Sequence, residues 1–154
     1  MSEIITYTDK YKDQTIKFIL SILEDEFGYT GVGRPDLYDI ANVYQKDSKS
    51  NFWLATSENE VVGTIAIKNY RNGRGFLKRM YVKKEMRSKG IGQQLADVML
   101  KFAKNSDYRI IFASTVEEFV SARNFYKKNG FIEVEKLPEN LADPDDNVFL
   151  ELKL

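Results

Sequence analysis

A short glycine-containing turn between a strand-like run and an amphipathic helix is the feature that most constrains this chain. Residues 87–92 read RSKGIG; they follow the strand-like run 77–82 and lead into an amphipathic stretch that begins at Ile91. The first turn of a helix carries backbone N–H groups without intrahelical acceptors, and the helix dipole adds positive potential there. Arg87 and Lys89 add side-chain charge, which favours a polyphosphate over a carboxylate. The sequence therefore predicts a strand–turn–helix unit that holds an anion at the start of its helix.

Hydrophobic periodicity predicts the other elements of the chain. Runs of β-branched and aromatic residues predict strands at Ile4–Thr8, Phe52–Thr56, Val61–Ile67, Phe76–Val82, Arg109–Thr115, Phe131–Glu135 and Val148–Lys153. Apolar residues at helical spacing predict helices at Tyr11–Phe27, Asp36–Tyr44, Ile91–Asn105 and Glu117–Lys128. The order is β-α-α-β-β-β-α-β-α-β-β, which favours an α/β fold (an α+β mixed sheet) with helices on both faces.

Length and composition narrow the classes of protein that remain. The 154 residues suit a single domain spanning 1–154. Because the N-terminus lacks a basic start followed by an apolar block, and no apolar run approaches the roughly 20 residues that span a bilayer, we expect a cytoplasmic protein with no membrane partner. The formal net charge is zero, which argues against a nucleic-acid binder.

Two residue types are absent, and their absence restricts the chemistry. The chain has no cysteine, so disulfides and a thiol nucleophile are excluded, and no histidine, so a histidine-based triad is excluded as well. We expect no metal site. Acid–base chemistry must then use carboxylates, tyrosine, lysine, a hydroxyl group or water.

The charges are unevenly distributed along the chain. Residues 68–89 contain nine lysines and arginines against one acid, whereas residues 133–151 contain seven acids against one lysine. Both stretches could be solvated surface. Alternatively, the first could form a cationic phosphate-binding end and the second an anionic end that attracts an amine.

Several linked motifs point to one family. A Walker A loop is absent, and a GxGxxG fingerprint fails because position 95 is Leu. In contrast, residues 77–82 (LKRMYV), 87–92 (RSKGIG) and 122–131 (ARNFYKKNGF), with 61–65 (VVGTI) before them, occur in the order and spacing of a known pattern. The chain resembles the GCN5-related N-acetyltransferase superfamily over roughly residues 50–135. The resemblance implies that family's acyl-CoA N-acyltransferase fold.

The resemblance also implies acetyl-CoA as the cosubstrate. By this resemblance, three groups of residues bind the cofactor. They are the backbone amides and adjacent side chains of the turn, the backbone of the fourth strand, and one polar residue of a helix. These residues are Arg87, Ser88, Lys89, Gly90, Ile91, Gly92, Gln93, Met80, Tyr81, Val82 and Asn124. Glycine suits the turn because phosphate oxygens can approach amides that no Cβ shields. The Met80 N–H would stabilise the oxyanion of the tetrahedral intermediate.

By the same resemblance, Tyr126 is the catalytic residue that protonates the departing thiolate, and a phenol with a pKa near 10 is a competent acid for this step. A core tyrosine is the alternative. Two positions depart from the family: Phe76 stands where many members carry a glutamate base, and Phe119 where many carry asparagine. The general base is therefore unassigned. The candidates by residue type are Glu24, Asp25, Glu26, Glu117 and Glu118.

The implied reaction is direct transfer of an acetyl group to a primary amine of a small molecule or peptide. Without cysteine, an acyl-cysteine intermediate is excluded. The acceptor would be chosen by the first two helices, residues 27–36 and the loop 137–147. The aromatic candidates for the acceptor pocket are Tyr29, Tyr38, Tyr44 and Trp53. A non-catalytic acyl-CoA-binding or sensor protein is the alternative function, and a homodimer is possible.

Overall fold

The computed structural model describes residues 2–29, 34–138 and 141–154. Within these ranges the strands are β1 (Ser2–Thr6), β2 (Asn51–Ser57), β3 (Glu60–Asn69), β4 (Arg74–Val82), β5 (Ile110–Thr115), β6 (Ile132–Val134) and β7 (Val148–Lys153). The α-helices are α1 (Lys12–Phe27), α2 (Ile40–Tyr44), α3 (Ile91–Asn105) and α4 (Val120–Lys128). Short 3-10 helices at Asp9–Tyr11, Pro35–Tyr38 and Lys84–Met86 precede α1, α2 and α3. The predicted order of strands and α-helices is confirmed.

The strands form one mixed sheet, as predicted. Its order is β1-β2-β3-β4-β5-β7-β6; β4 and β5 run parallel, while the pairs β1/β2, β2/β3, β5/β7 and β6/β7 are antiparallel. Glu58 and Asn59 join β2 to β3, with φ of 52° and 65°. Two successive left-handed residues are what a tight hairpin turn requires, so β2 and β3 form a hairpin.

The chain divides into two compact units, and the first comprises Met1–Lys68 and Lys78–Ser106. Here α1 and α2 cover one face of the sheet, where Phe52 and Leu54 pack with Ile19 and Tyr44. On the opposite face, the ring of Trp53 packs edge-on against Phe102 of α3 at 5.1 Å. Neighbouring residues of a strand point to opposite faces, so helices cover both faces of this part of the sheet.

The second unit comprises Asn69–Leu77 and Asp107–Leu154. Its apolar cluster centres on Phe76, Phe112 and Leu137. The hydroxyl of Ser114 donates to the Asp146 carboxylate at 2.6 Å, which anchors the acidic loop between β6 and β7. The expectation of a single domain over the whole chain stays a prediction.

Two predicted helices were wrong at their starts, each because of polar contacts. The predicted helix Asp36–Tyr44 is broken at Asp39, whose φ of −149° is not helical and whose carboxylate accepts a hydrogen bond from Asn42 at 2.9 Å. The helix predicted from Glu117 begins at Val120, because the Glu117 N–H donates to the Asn147 side chain at 3.0 Å. Strand β7 has the predicted bounds, and the boundaries of the other strands differ from prediction by at most two residues, an ordinary difference.

Parts of two segments expected to choose the acceptor lie outside the described residues: 30–33 of the segment 27–36, and 139–140 of the loop 137–147. Within the described ranges, every helix is too short or too polar to cross a membrane.

Candidate functional site

The turn between β4 and α3 has the backbone geometry that an anion site needs. Ser88 and Gly90 are both left-handed, with φ of 67° and 83°, and Gly90 is the N-cap of α3. No side chain caps the helix, and the first intrahelical bond is donated by the Gln94 N–H to the Gly90 carbonyl at 3.0 Å. The N–H groups of Ile91 and Gly92 therefore precede the intrahelical ladder. A Cβ at Gly90 would meet no atom within 4 Å, so the turn is open to solvent there.

The side chains of this turn divide into paired and exposed groups. The Arg87 guanidinium donates to both carboxylate oxygens of Glu26, at 2.6 and 2.8 Å, and its Nε donates to the Val82 carbonyl at 3.0 Å. The Gln93 amide donates to Asp97 at 2.9 Å. Lys89 is exposed and has no ion pair among the described residues. Arg87 is thus held at the end of α1 in this structure, which the sequence did not predict.

Strand β4 leads directly into this turn. Its register with β5 covers Arg74–Phe76, and β4 then continues for six residues to Val82. Met80, Tyr81 and Val82, predicted to face the cofactor with their backbone, are all half-buried. Tyr81 packs against the apolar cluster of α1 and α2.

An ion pair in the first unit was missed by sequence reasoning. Arg79, in the interior of β4, has a left-handed φ of 53°. Its guanidinium donates to both carboxylate oxygens of Asp36, at 2.7 and 2.9 Å, and Asp36 also accepts from the Tyr44 hydroxyl at 2.7 Å. Both charged side chains are largely buried, with 16% and 20% of their surface exposed. Arg79 is one of three basic residues in β4, with Arg74 and Lys78, so the sequence neither singled it out nor identified which of the acids is its partner.

The buried cluster alters the pKa of each of its members. Burial opposes ionisation of Asp36, but the hydrogen bonds and charge of Arg79 outweigh it, so the pKa of this carboxyl is lowered from 3.8. Burial also opposes the charge on Arg79, yet the bonds to Asp36 raise its pKa. Burial and the neighbouring Asp36 raise the pKa of Tyr44. The ion pair is therefore fully charged at neutral pH.

Tyr126 and Asn124 lie on α4, in the second unit. Tyr126 is buried, 7% exposed, and its ring contacts those of Phe131 and Phe125 at centroid distances of 5.5 and 6.2 Å. Asn124 is exposed. The Tyr126 carbonyl accepts from the Phe131 N–H at 3.0 Å, so the turn at Gly130 fixes the end of the helix that carries the tyrosine.

Two of the predicted acceptor-pocket aromatics are core residues instead. Tyr44 is 2% exposed and Trp53 is 4% exposed, and each packs edge-on against a phenylalanine ring. Their assignment to a pocket was wrong, because Tyr44 is on the buried side of α2 and Trp53 packs beneath α3. Tyr38 is 56% exposed, and Tyr29 lies against Arg34 and Phe27. Of the four aromatic candidates, Tyr29 and Tyr38 therefore remain for contact with an acceptor.

A groove of about 500 Å³ runs along α1 in the first unit. Its lining contains both lysines and carboxylates: Lys17, Lys83, Lys84, Asp25, Glu26, Glu60 and Glu85. Lys83 and Glu60 pair at 2.9 Å. The mixed signs give this groove no preference for an anionic or a cationic ligand.

The sequence and the fold of this chain are similar to those of known acetyltransferases. Residues 16–131 match the sequence profile of the Acetyltransferase (GNAT) family. Over 99 residues the chain is 35% identical to N-acetylaspartate synthetase of Xenopus tropicalis, a match covering 64% of this chain and 36% of the relative. The chain spans about a third to a half of the length of the curated relatives that it matches.

Solved structures extend the similarity to the whole chain. A GNAT-family acetyltransferase from Staphylococcus aureus has a TM-score of 0.92 and 35% identity, with 99% of each chain covered. The PaiA N-acetyltransferase of Thermoplasma acidophilum, solved in complex with coenzyme A, has a TM-score of 0.82 at 19% identity, covering 100% of this chain and 99% of the other. At that identity the second similarity concerns the fold alone.

Proposed function

Because this chain belongs to the Acetyltransferase (GNAT) family, we propose that it transfers an acetyl group from acetyl-CoA directly to a primary amine of a small molecule or peptide. The observation that carries the proposal is the turn of residues 87–92. Two left-handed residues and an uncapped helix start direct backbone N–H groups toward solvent at one place. This geometry suits a diphosphate such as that of coenzyme A.

In this proposal the backbone of the turn binds the diphosphate. The exposed ammonium of Lys89 adds charge, and Arg87, Gln93 and Asn124 lie alongside the cofactor. The backbone of Met80, Tyr81 and Val82 pairs with the pantetheine arm as an added strand would, supported by the extension of β4 beyond its register with β5. The fold neighbour from Thermoplasma acidophilum was solved with coenzyme A, which agrees with an acyl-CoA cosubstrate.

The transfer is a single displacement. The neutral amine attacks the thioester carbonyl carbon, a C–N bond forms, and the Met80 N–H stabilises the oxyanion. The C–S bond then breaks, and Tyr126 protonates the thiolate to release coenzyme A. The proton lost by the amine leaves through a carboxylate or water. Phe76 is buried and has no ionisable group, so it cannot accept this proton. Water or a carboxylate elsewhere must do so.

The acceptor is proposed at the level of its class. N-acetylaspartate synthetase, by its name, makes an acetylated amino acid, so amino acids belong first in an amine panel. The acidic segment 133–151 supports cationic amines as well, and peptide N-termini, polyamines and aminoglycosides complete the panel. Cytoplasmic location and a homodimer stay predictions.

A non-catalytic acyl-CoA-binding protein is the second candidate, and one observation favours it. Phe76, which stands where many members carry a glutamate base, is packed in an apolar cluster with Phe112 and Leu137. No ionisable group can act from that position.

Thermal shift followed by a thiol-release assay tests the proposed function. Coenzyme A or acetyl-CoA at one hundred times its dissociation constant should stabilise the fold by about 2.7 kcal/mol, which is about 5–10 °C in Tm for a chain of this size. Thiol release should then appear with at least one amine of the panel. Tyr126→Phe keeps the ring packing, so it should slow transfer by about 10²-fold or more while acetyl-CoA affinity stays unchanged.

The outcomes separate the two candidates. No stabilisation by any acyl-CoA would refute both of them. Tight binding with no turnover over the whole panel would favour the non-catalytic protein.

A further inference from the structure

The left-handed residue in the interior of β4 is the strongest unexplained feature of the first unit. Arg79 has a φ of 53° in the middle of a strand, where an L-residue with a large side chain is rarely stable. Such backbone strain persists only where the surroundings fix the residue from several sides, and it concentrates at functional sites.

Two separate contacts fix Arg79. At its side chain, the bidentate bonds to Asp36 lock the guanidinium, and the Tyr44 hydroxyl in turn holds Asp36. At its backbone, the fully buried Thr64 hydroxyl donates to the Arg79 carbonyl at 2.7 Å. Thr64 lies on β3 and Asp36 lies before α2, so segments from two different elements converge on one residue.

These contacts determine the direction of the next N–H group. The Arg79 carbonyl and the Met80 N–H belong to one planar trans peptide, in which the two bonds point in opposite directions. Because Thr64 holds the carbonyl, the Met80 N–H must point away from Thr64. Under the proposed function this N–H is the donor to the thioester oxygen, and a donor of this kind helps only if its direction is fixed before the reaction.

We propose that Asp36, through Arg79, and Thr64, through the Arg79 carbonyl, are positioning residues that aim the Met80 N–H at the acetyl carbonyl oxygen. The inference rests on the proposed function. It means that Asp36, 43 positions before Arg79 in the sequence, helps to polarise the thioester, although Asp36 itself need not touch the cofactor.

The test uses a readout that does not require the acceptor. Acetyl-CoA labelled with ¹³C at the carbonyl is bound to each variant, and the NMR shift of that carbon reports its hydrogen bonding. We expect a downfield shift on binding to the wild type. Asp36→Asn and Thr64→Val should each lose about half or more of that shift, with the Kd for acetyl-CoA within about threefold of the wild-type value.

Glu60→Gln is the matched control, because it removes another ion pair of the same unit, with Lys83 just after β4. It should leave the shift unchanged. The two variants act on opposite ends of Arg79, so Thr64→Val carries the test if Asp36→Asn does not fold.

The results distinguish this inference from the proposed function. If the wild type binds acetyl-CoA and shows the shift, and both variants keep it in full, the positioning role is refuted while the proposed function stands. If the wild type does not bind acetyl-CoA, the proposed function fails and the inference fails with it. A shift lost equally in the Glu60→Gln control would also refute the inference, because any ion pair would then have the same effect.

Discussion

Gly90→Ala tests whether the turn before α3 is the diphosphate site. Gly90 has φ of 83° and ψ of 2°, and a Cβ built on it meets no atom within 4 Å. The cost of alanine is therefore conformational rather than steric, about 1–2 kcal/mol for an L-residue in the left-handed region. If the free variant keeps the left-handed turn, Tm should fall by about 2–8 °C for a chain of this length.

The same strain is divided between folding and binding: the part that the free variant keeps lowers Tm, and the part that it releases by relaxing the turn opposes binding. If the free variant relaxes the turn to an ordinary φ, binding of coenzyme A must restore the left-handed geometry at that cost. Isothermal titration calorimetry should then show a Kd about 5–30 times weaker for coenzyme A, the equivalent of 1–2 kcal/mol.

Gly28→Ala is the matched control for this experiment. Gly28 is also left-handed, with φ of 68° and no atom within 4 Å of a Cβ, but it caps the end of α1. It should lower Tm by a similar amount and leave the Kd for coenzyme A unchanged. If Gly90→Ala leaves Tm nearly unchanged, so that the turn has relaxed, and still binds coenzyme A as the wild type does, the turn is not the binding site.

Three further changes test other parts of the structure: one should strengthen coenzyme A binding, one should raise Tm, and one should alter how stability depends on pH. Glu26→Gln removes the carboxylate that holds Arg87. Because such a half-exposed ion pair is worth up to about 1 kcal/mol, calorimetry should show that coenzyme A binds up to about fivefold more tightly. Weaker binding would mean that the ion pair holds the turn in shape instead. Thr15→Val replaces a buried hydroxyl that has no hydrogen-bond partner within the described ranges, so Tm should rise by about 2–4 °C for about 1 kcal/mol; a lower Tm would show that the hydroxyl is satisfied. The third concerns pH: since Arg79 lowers the pKa of Asp36 from 3.8, this stabilisation is complete above that value and is lost as pH falls through the folded pKa. Urea unfolding between about pH 5 and pH 3 should therefore show a steeper loss of stability for the wild type than for Asp36→Asn, and parallel curves would contradict the assignment.

The parts of the fold that could be predicted are those that local sequence specifies. Helix α3 begins at Ile91, as predicted, because Gly90 adopts the left-handed φ that ends the preceding turn. The hairpin between β2 and β3 depends on local sequence in the same way, because Asn59 tolerates a positive φ. Where a tertiary hydrogen bond decides the local structure, as Asn147 does for Glu117 at a separation of 30 residues, the helical periodicity was misleading.

The same difference between local sequence and tertiary contacts applies to the candidate site. The start of α3 after Gly90 could be predicted from the glycine-containing turn, because glycine marks the places where a chain needs a positive φ or a close approach. The assignment of this turn to cofactor binding stays a prediction. Side-chain partners could not be assigned. The chain has 23 acidic residues, and no period or motif marks Asp36 as the partner of Arg79 or Glu26 as the partner of Arg87.

The two arginines also show why charge alone is a weak guide to an anion site. Both lie in the basic stretch 68–89, and both have their guanidinium groups held by a carboxylate of the same chain. Arg79 is 16% exposed, so replacing Asp36 by a ligand would leave a buried carboxylate unpaired, which is costly. Arg87 is 43% exposed, and its exchange of Glu26 for a phosphate would cost little. Burial therefore divides the arginines of one basic stretch into a structural cation, Arg79, and an exchangeable cation, Arg87.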